Sequence, residues 1–351
     1  MRIAILHYTK APTIGGVERV IRDQAAALSC LGHEVQIIVK SDGWMAADWD
    51  AVLVHNIFTM PFDLAWTWEL RELAAALPGI RWINWVHDVA AVSPHYAHLP
   101  WRDAGRALLS QPVPNALNVA VSQVRRADYA RATGLPLESI HVIPNGLDLV
   151  SVLGLTERIA GLRLWEHELV LCHPTRLIRR KNIELGIRVT AELKAQGVDV
   201  LYAVTGALDP HQADGMAYFA ELEALVSTLD LTQQVLFLCK ESPLSNDDVR
   251  SLYAVSDALF FPSTGEGFGL PLLEAVAHRL PVFCADLAVH REVIGEAGRY
   301  FRTEPDEISA QIMQWLRNDH VNRQRSRLLR AHDMVKICQE HLEPLLLTAN
   351  H

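Results

Sequence analysis

At 351 residues the chain exceeds what one packed core usually supports, so two domains are expected. Half of it is apolar and 21% is charged, which excludes a disordered chain. A net charge of −9, shared between both halves (12 Lys/Arg against 14 Asp/Glu in residues 1–150, 20 against 27 after), excludes nucleic acid as a natural partner and leaves no basic membrane-binding surface.

In chain order, Arg2–Tyr8 reads as a buried strand, Val17–Leu31 as a helix stopped by Gly32, and Glu34–Lys40 as the next strand. Ala51–His55, Ile80–Val86, Leu117–Val121 and His141–Ile143 are further strands, with helices over Phe62–Leu77 and Gln123–Thr133. Pro144-Asn145-Gly146 reads as a turn or hinge, after which the rhythm restarts. Strands are expected at Leu169–His173, Val200–Val204, Val235–Leu238, Ala258–Phe261 and Pro281–Cys284, and helices at Ile183–Ala195, Met216–Leu229, Asp247–Val255 and Leu270–Arg279. A last helix is expected over about Val321–His341. Continuous apolar strands alternating with helices define an α/β fold of two doubly wound Rossmann-like domains, 1–148 and 149–332. Ligands of such sheets bind beyond the carboxyl ends of the strands, so the natural site is a cleft fed by strand–helix loops of both halves.

No stretch approaches the ~20 apolar residues of a membrane helix. The N-terminus lacks the basic lead and apolar length of a signal peptide. The five cysteines (Cys30, Cys172, Cys239, Cys284, Cys338) form no CxxC unit, and Cys172, Cys239 and Cys284 lie in or beside apolar runs. They read as buried thiols in a reducing cytoplasm.

Four segments could carry chemistry. Thr9 to Gly16 places Gly15 and Gly16 before a helix, where their amides could approach an anion; a plain Gly turn is the alternative. It is neither a GxGxxG fingerprint nor a P-loop. Glu18 could cap that helix or meet a substrate hydroxyl. His87-Asp88 ends the strand Ile80–Val86, where a cleft residue belongs, and no GxSxG elbow exists for a triad hydrolase. His173-Pro174-Thr175-Arg176 to Lys181-Asn182 concentrates Arg176, Arg179, Arg180 and Lys181 before a helix; it reads as an anion site or as a solvated basic loop. Thr264 to Ala275 follows a strand and opens a helix: Gly265, Gly267 and Gly269 expose amides, Pro271 suits a first turn, and Glu266 and Glu274 can accept hydroxyl hydrogen bonds. Amides for an anion beside carboxylates for hydroxyls point to a nucleotide sugar. Asp48-Trp49-Asp50 fits a metal-binding Asp-x-Asp pattern but leads into the strand Ala51–His55, away from the other motifs, and reads as a polar lead-in.

The Glu266…Glu274 pair around Gly-Phe-Gly-Leu-Pro resembles the signature of retaining glycosyltransferase family 4, which has the GT-B fold of two such domains facing each other across a cleft. Gly15-Gly16-Val17-Glu18, His87-Asp88, Val121-Ser122, Ile143 to Asp148, and Arg176 with Lys181 follow the family's order over about residues 1–300. The resemblance implies metal-independent, retaining hexose transfer, without cofactor, from a nucleotide sugar of the GDP-mannose or UDP-glucose type. Gly15, Gly16, Arg176 and Lys181 would hold the diphosphate. Glu266 with the amides of Gly267, Phe268 and Gly269, beside Leu270, would hold the sugar. Glu274 would bind ribose and His87 would lie beside the transferring sugar, giving His87, Arg176, Lys181 and Glu266 as catalytic residues. His173-Pro174-Thr175 departs from the family's Gly before the Arg, which implies a stiffer phosphate loop. A final segment, about 333–351, is implied to return to the first domain, which binds the acceptor through residues such as Glu18, Asn56, His87 and Asp88. The segment Asn56 to Pro61 and the tryptophans Trp44, Trp49, Trp66, Trp68, Trp82, Trp85 and Trp101 are available to that pocket, although core packing explains most of them. Because no basic amphipathic helix is read, a small soluble sugar or glycosylated organic acid is expected before a lipid-linked or polysaccharide acceptor. A nucleotide-sugar epimerase of the same architecture, a dinucleotide oxidoreductase and an inactive binding module are the alternatives; homo-oligomerisation stays open.

Overall fold

A computed structural model describes every residue except 11, 13–14, 97–102, 209–214, 239, 241, 303 and 349–351. Cys239, Trp101 and part of the Thr9–Gly16 loop therefore lie outside the described residues. The chain divides into unit 1, residues 1–148 with 331–351, and unit 2, residues 149–330.

Unit 1 is built from β1 (Arg2–Leu6), α1 (Gly16–Cys30), β2 (Glu34–Ile38), β3 (Ala51–His55), α2 (Leu64–Ala76), β4 (Arg81–Val86), α3 (Asp103–Leu109), β5 (Ala116–Ala120), α4 (Gln123–Thr133) and β6 (Ile140–Val142). All strands pair in parallel, in the order β2-β1-β3-β4-β5-β6. Side chains of β3 are buried on both faces, which is why the run reads as uniformly apolar. One face packs Trp66, Leu70 and Ala74 of α2 with Trp82. The other packs Ile21 and Leu28 of α1 with Met334, Ile337, Leu342 and Leu346 of the C-terminal segment. Trp66, Trp82 and Trp85 are fully buried, so most of the aromatic richness serves the core; Trp68 alone of the described six is strongly exposed.

The expected single helix over Val321–His341 is two structures. α13 (His320–Ala331) is the first, and Asp333 caps α14 (Met334–Ile337) by accepting from the Val335 amide at 3.0 Å. Leu147 N–H donates to His332 C=O at 2.7 Å and Met334 N–H to Leu147 C=O at 3.1 Å, so the Pro144–Gly146 turn is laced to the returning chain. A π turn over Cys338–Leu342 and α15 (Glu343–Leu347) complete unit 1.

Unit 2 opens with α5 (Leu149–Leu153) and α6 (Glu157–Gly161), then β7 (Leu169–His173), the short β8 (Arg176–Leu177), α7 (Ile183–Ala195), β9 (Val200–Val204), the short β10 (Ala207–Leu208), α8 (Gly215–Thr228), β11 (Val235–Phe237), α9 (Asn246–Val255), β12 (Ala258–Phe261), α10 (Leu270–Ala277), β13 (Val282–Ala285), α11 (Ala288–Ile294), β14 (Gly298–Phe301), α12 (Pro305–Asn318) and α13 (His320–Ala331). Its main sheet runs β11-β9-β7-β12-β13-β14, all parallel. The order therefore reverses between β7 and β12, the switch point where doubly wound sheets bind ligands.

One helix contact is tight enough to fix a residue. Gly186 of α7 lies so near Tyr202 that a Cβ there would sit 2.2 Å from the Tyr202 Cζ. Tyr202 is fully buried and its hydroxyl is 2.6 Å from His173 Nδ1, so the ring has nowhere to go. Alanine favours a helix by about 1 kcal/mol over glycine, but overpacking costs about 1–3 kcal/mol. Gly186→Ala is expected to lower unfolding free energy by up to roughly 2 kcal/mol net; a chemical denaturation midpoint above the parent's would contradict the packing.

α13 corrects a second expectation. It carries Arg323, Arg325, Arg327 and Arg330 with no carboxylate, and turns Val321 and Leu328 outward at 76% and 55% exposure. A basic amphipathic helix does exist, and the argument that set a lipid acceptor aside loses its ground. Among the described residues no helix is long and apolar enough to cross a membrane.

Candidate functional site

In unit 2 the loops after the adjacent strands β7 and β12 meet. The first is held stiffly: Thr175 N–H donates to Thr205 Oγ1 at 2.7 Å, Thr205 Oγ1 donates to Thr175 C=O at 2.8 Å, and Gly206 N–H donates to Thr175 C=O at 3.0 Å. His173 ends β7 fully buried, so the residues standing in place of a flexible glycine fix the backbone leading into Arg176. Arg176 opens β8 with its side chain exposed. Arg179–Lys181 form one 3₁₀ turn, and Asn182, at φ 51°, redirects the chain into α7.

The second loop closes on this turn. Thr264 N–H donates to Arg180 C=O at 2.8 Å, and Arg180 Nη1 donates to Gly265 C=O at 2.8 Å. Glu266, whose side chain is 7% exposed, receives Lys181 Nζ on Oε1 and Arg180 Nη1 on Oε2 at 3.2 Å. Burial pushes the Glu266 pKa up, but the Lys181 ammonium and Arg180 guanidinium outweigh it and hold the carboxyl below its usual range. Two cations against one carboxylate leave this cluster with surplus positive charge. Lys181 also sits over the Phe261 ring, 5.2 Å from its centroid.

Gly269 has φ 93°, a left-handed conformation that suits glycine, and starts α10 with Pro271 in the first turn. Among the described residues the amides of Gly267, Phe268 and Gly269 donate to no protein acceptor, so they remain available to a ligand. Phe268 and Leu270 are 52% and 62% exposed beside them. Glu274, one turn into α10, is exposed; its Oε2 accepts from Tyr253 Oη–H at 2.8 Å, and the Tyr253 ring stacks on His278 at 5.2 Å. Lys181 and Glu266 are thus in direct contact, and Glu274 is oriented separately by Tyr253. Tyr253 lies on α9, twenty-one positions before Glu274, and no motif marks it. Arg180 was visible in the basic run, but not as the second cation on Glu266.

Unit 1 gathers polar residues at the carboxyl ends of β1, β3 and β4. Asn56 takes φ 61°, and its Oδ1 accepts the amides of both His87 (2.8 Å) and Asp88 (3.1 Å). What Asn56 can still offer a ligand is its Nδ2. Asn56→Ala is expected to lose about 2–4 kcal/mol, because two amides lose their acceptor and alanine is strained at that φ. Unchanged thermal stability would contradict this. His87 lies 3.0 Å from His55 Nδ1 through Nε2. Burial, with a smaller contribution from His7, pushes the His87 pKa down to about 3. Asp88, 3.8 Å from Arg125, is raised by burial more than that arginine lowers it.

Gly15 and Gly16 begin α1; Gly15 C=O accepts the Arg19 amide at 3.2 Å. Glu18 lies in the first turn of α1, where its carboxylate faces its own backbone amide and its Oε1 accepts Thr9 Oγ1–H at 2.5 Å. Asp50 sits at the opposite, amino end of the sheet and accepts the Arg2 amide at 2.7 Å, as suits a polar lead-in to β3. Burial pushes the thiols of Cys172, Cys284 and Cys338 up to about 12, which suits inert core residues. A hollow of about 430 Å³ in unit 2, lined by Trp315, Arg317, His320 and Arg327, also borders Glu168 and Asp257, which precede β7 and β12. It therefore lies at the amino end of the sheet, away from the switch-point loops.

The family model described as "Glycosyl transferases group 1" matches residues 157–331, and that described as "Glycosyltransferase Family 4" matches residues 14–151. The serotype-specific mannosyltransferase WbdA of Escherichia coli is 45% identical over 74 residues, 21% of this chain and 9% of that protein. The chain thus spans about a tenth of the length of the first curated relatives it matches. The mannosylglucosylglycerate synthase of Petrotoga mobilis is 25% identical over 279 residues, 72% of this chain and 63% of that one. Among solved structures, Anabaena HepE in complex with UDP and glucose is 20% identical, with 99% of each chain covered and a TM-score of 0.41.

Proposed function

From the premise that this chain belongs to glycosyltransferase family 4, among the glycosyl transferases group 1, we propose that it moves a hexose from a nucleoside diphosphate sugar to an acceptor hydroxyl, retaining anomeric configuration and using no metal ion. The observation that carries this is the Arg180–Lys181–Glu266 cluster between the loops of β7 and β12, with open amides and a Tyr253-oriented Glu274 beside it. As the glycosidic bond breaks, negative charge grows on the departing diphosphate. Lys181, Arg176 and the loop amides supply positive charge already in place, while Glu266 and Glu274 accept hydroxyls of sugar and ribose. Unit 1 carries the acceptor side, through His87, Asp88 and Asn56. Gly15 and Gly16, at the start of its first helix, offer backbone amides to an anion.

The sugar is proposed as mannose or glucose, mannose being in line with the relative named a mannosyltransferase. A small sugar or glycosylated organic acid remains the proposed acceptor. The basic amphipathic α13 favours a second reading, a lipid-linked or polysaccharide acceptor at an anionic surface. The test is incubation with GDP-mannose or UDP-glucose, with and without each acceptor class, in the presence of chelator. Anomeric configuration would be read by NMR. Retained product that survives chelator supports the proposal. An inverted product, dependence on metal, or conversion of the donor without acceptor would each overturn part of it, the last in favour of an epimerase.

A further inference from the structure

The His55–His87 contact sets which imidazole nitrogen unit 1 presents. His55 ends β3 and is fully buried, its ring stacked on Trp85 with centroids 5.4 Å apart and planes 15° from parallel. His87 follows β4 and is 9% exposed. Nδ1 of the first and Nε2 of the second are 3.0 Å apart, which requires one to donate and the other to accept. The backbone around both is fixed: Asn56 N–H donates to Trp85 C=O at 3.0 Å, and the Asn56 side chain holds the His87 and Asp88 amides.

Two arrangements satisfy the contact, and they are not equivalent. If His87 donated, His55 would carry its proton on Nε2, which is buried and has no hydrogen-bond partner. A sealed N–H without an acceptor is rare and costly. If His55 donates from Nδ1, only a lone pair is left at that sealed nitrogen. The neutral His87 then carries its proton on Nδ1, which has no hydrogen-bond partner among the described residues and is not among the sealed side-chain atoms. We propose that His55 is a positioning residue that locks His87 as the Nδ1–H tautomer, so that His87 acts on the sugar as a hydrogen-bond donor and not as a base or a cation. This rests on the transferase reading for the identity of the ligand, a sugar hydroxyl oxygen; the tautomer itself does not.

The surroundings agree. The titratable groups near His87 are His55 and His7, with Asp88 next in the chain and Arg125 beside Asp88. Among the described residues no carboxylate is paired with either ring of the His55–His87 contact, and burial holds both below their ordinary range, so both are neutral at neutral pH.

The experiment is a long-range ¹H–¹⁵N correlation on the full chain labelled at histidine, without any sugar, paired with kinetics of two variants. The expected spectrum shows a protonated Nδ1 and a bare Nε2 for His87. A protonated Nε2 overturns the proposal whatever the enzyme's activity. His55→Phe keeps the ring stacked on Trp85 but removes the donor. It is expected to leave His87 a mixture of tautomers and to lower kcat on the order of 10–100-fold, as loss of a ring-orienting partner does at other imidazole sites, with nucleotide affinity unchanged. His55→Asn, whose amide can donate from near the Nδ1 position, is expected to restore the Nδ1–H signal and most of kcat. Equal kcat in all three proteins would overturn the catalytic part. A chain that shows the predicted tautomer but moves no sugar would refute the transferase reading instead.

Discussion

Lys181→Ala is expected to lower sugar transfer by ~10²–10³-fold while the protein stays folded, the loss typical of one preorganised charge-stabilising donor. The ammonium lies at the one place in unit 2 where the strand order reverses, and it is held against Glu266 before any ligand arrives. That pairing orients it in advance, so no reorganisation is needed when the diphosphate departs. Arg180 stays on Glu266 in the variant, so the carboxylate is not stranded and the fold should survive. Arg176→Ala is expected to cost a similar factor. Steady-state rates with matched circular dichroism melts check both; near-normal turnover in either variant would remove that residue from the mechanism.

The second large effect is a loss of stability in acid that begins well above the carboxylate range. His87 in unit 1 and His173 in unit 2 are each pushed by burial to about 3, from an ordinary value of 6.5. A histidine whose pKa is lower folded than unfolded is held neutral by the fold, and its protonation favours the unfolded chain. The contribution is therefore complete above about pH 6.5 and is lost as pH falls towards 3. Each such group gives a slope of about 1.4 kcal/mol per pH unit within that window, so unit 2 should lose roughly 2 kcal/mol between pH 6.5 and 5 through His173, and unit 1, where burial also holds His55 well below its ordinary range, at least as much. His173 Nδ1 is bonded to the Tyr202 hydroxyl and its Nε2 is sealed without a partner, so it has no easy way to accept a proton. Urea unfolding at pH 7, 6 and 5 checks this. A flat profile would contradict it, as would a His173→Gln variant whose unit 2 retains the full acid sensitivity.

The parts of the fold that were legible in the sequence are those with a strong local cause. β3, β7, β9 and β12 were read to the residue because each is an apolar run bounded by polar or turn residues. β14 was missed: Gly298-Arg299-Tyr300-Phe301 is an edge strand in which only Phe301 is buried, so it shows no apolar run. β8 and β10 are two residues long and exist only through their mutual pairing. The helix break at His332-Asp333 was hidden because apolar spacing continues across it; what interrupts the helix is pairing with Leu147, almost 190 residues away.

The site divides along the same line. Glycines and carboxylates within one loop announce themselves by spacing, as Gly265 to Glu274 do. Partners supplied by other elements do not. Nothing near Asn56 says that its side chain will hold two amides of the next strand's end, nor does anything near His55 say that it will meet His87. Tyr253 looks like any aromatic on a helix face until α9 and α10 pack together.

The most direct test of the central claim, that the switch-point loops of unit 2 hold a nucleoside diphosphate, is calorimetric titration of UDP, GDP and ADP into the parent chain and into Lys181→Ala, with chelator present. The account predicts that one nucleotide binds the parent and that the variant binds it at least about tenfold more weakly, the loss of one charge-assisted hydrogen bond. Equal affinity in the two proteins, or no binding of any of the three, would contradict it.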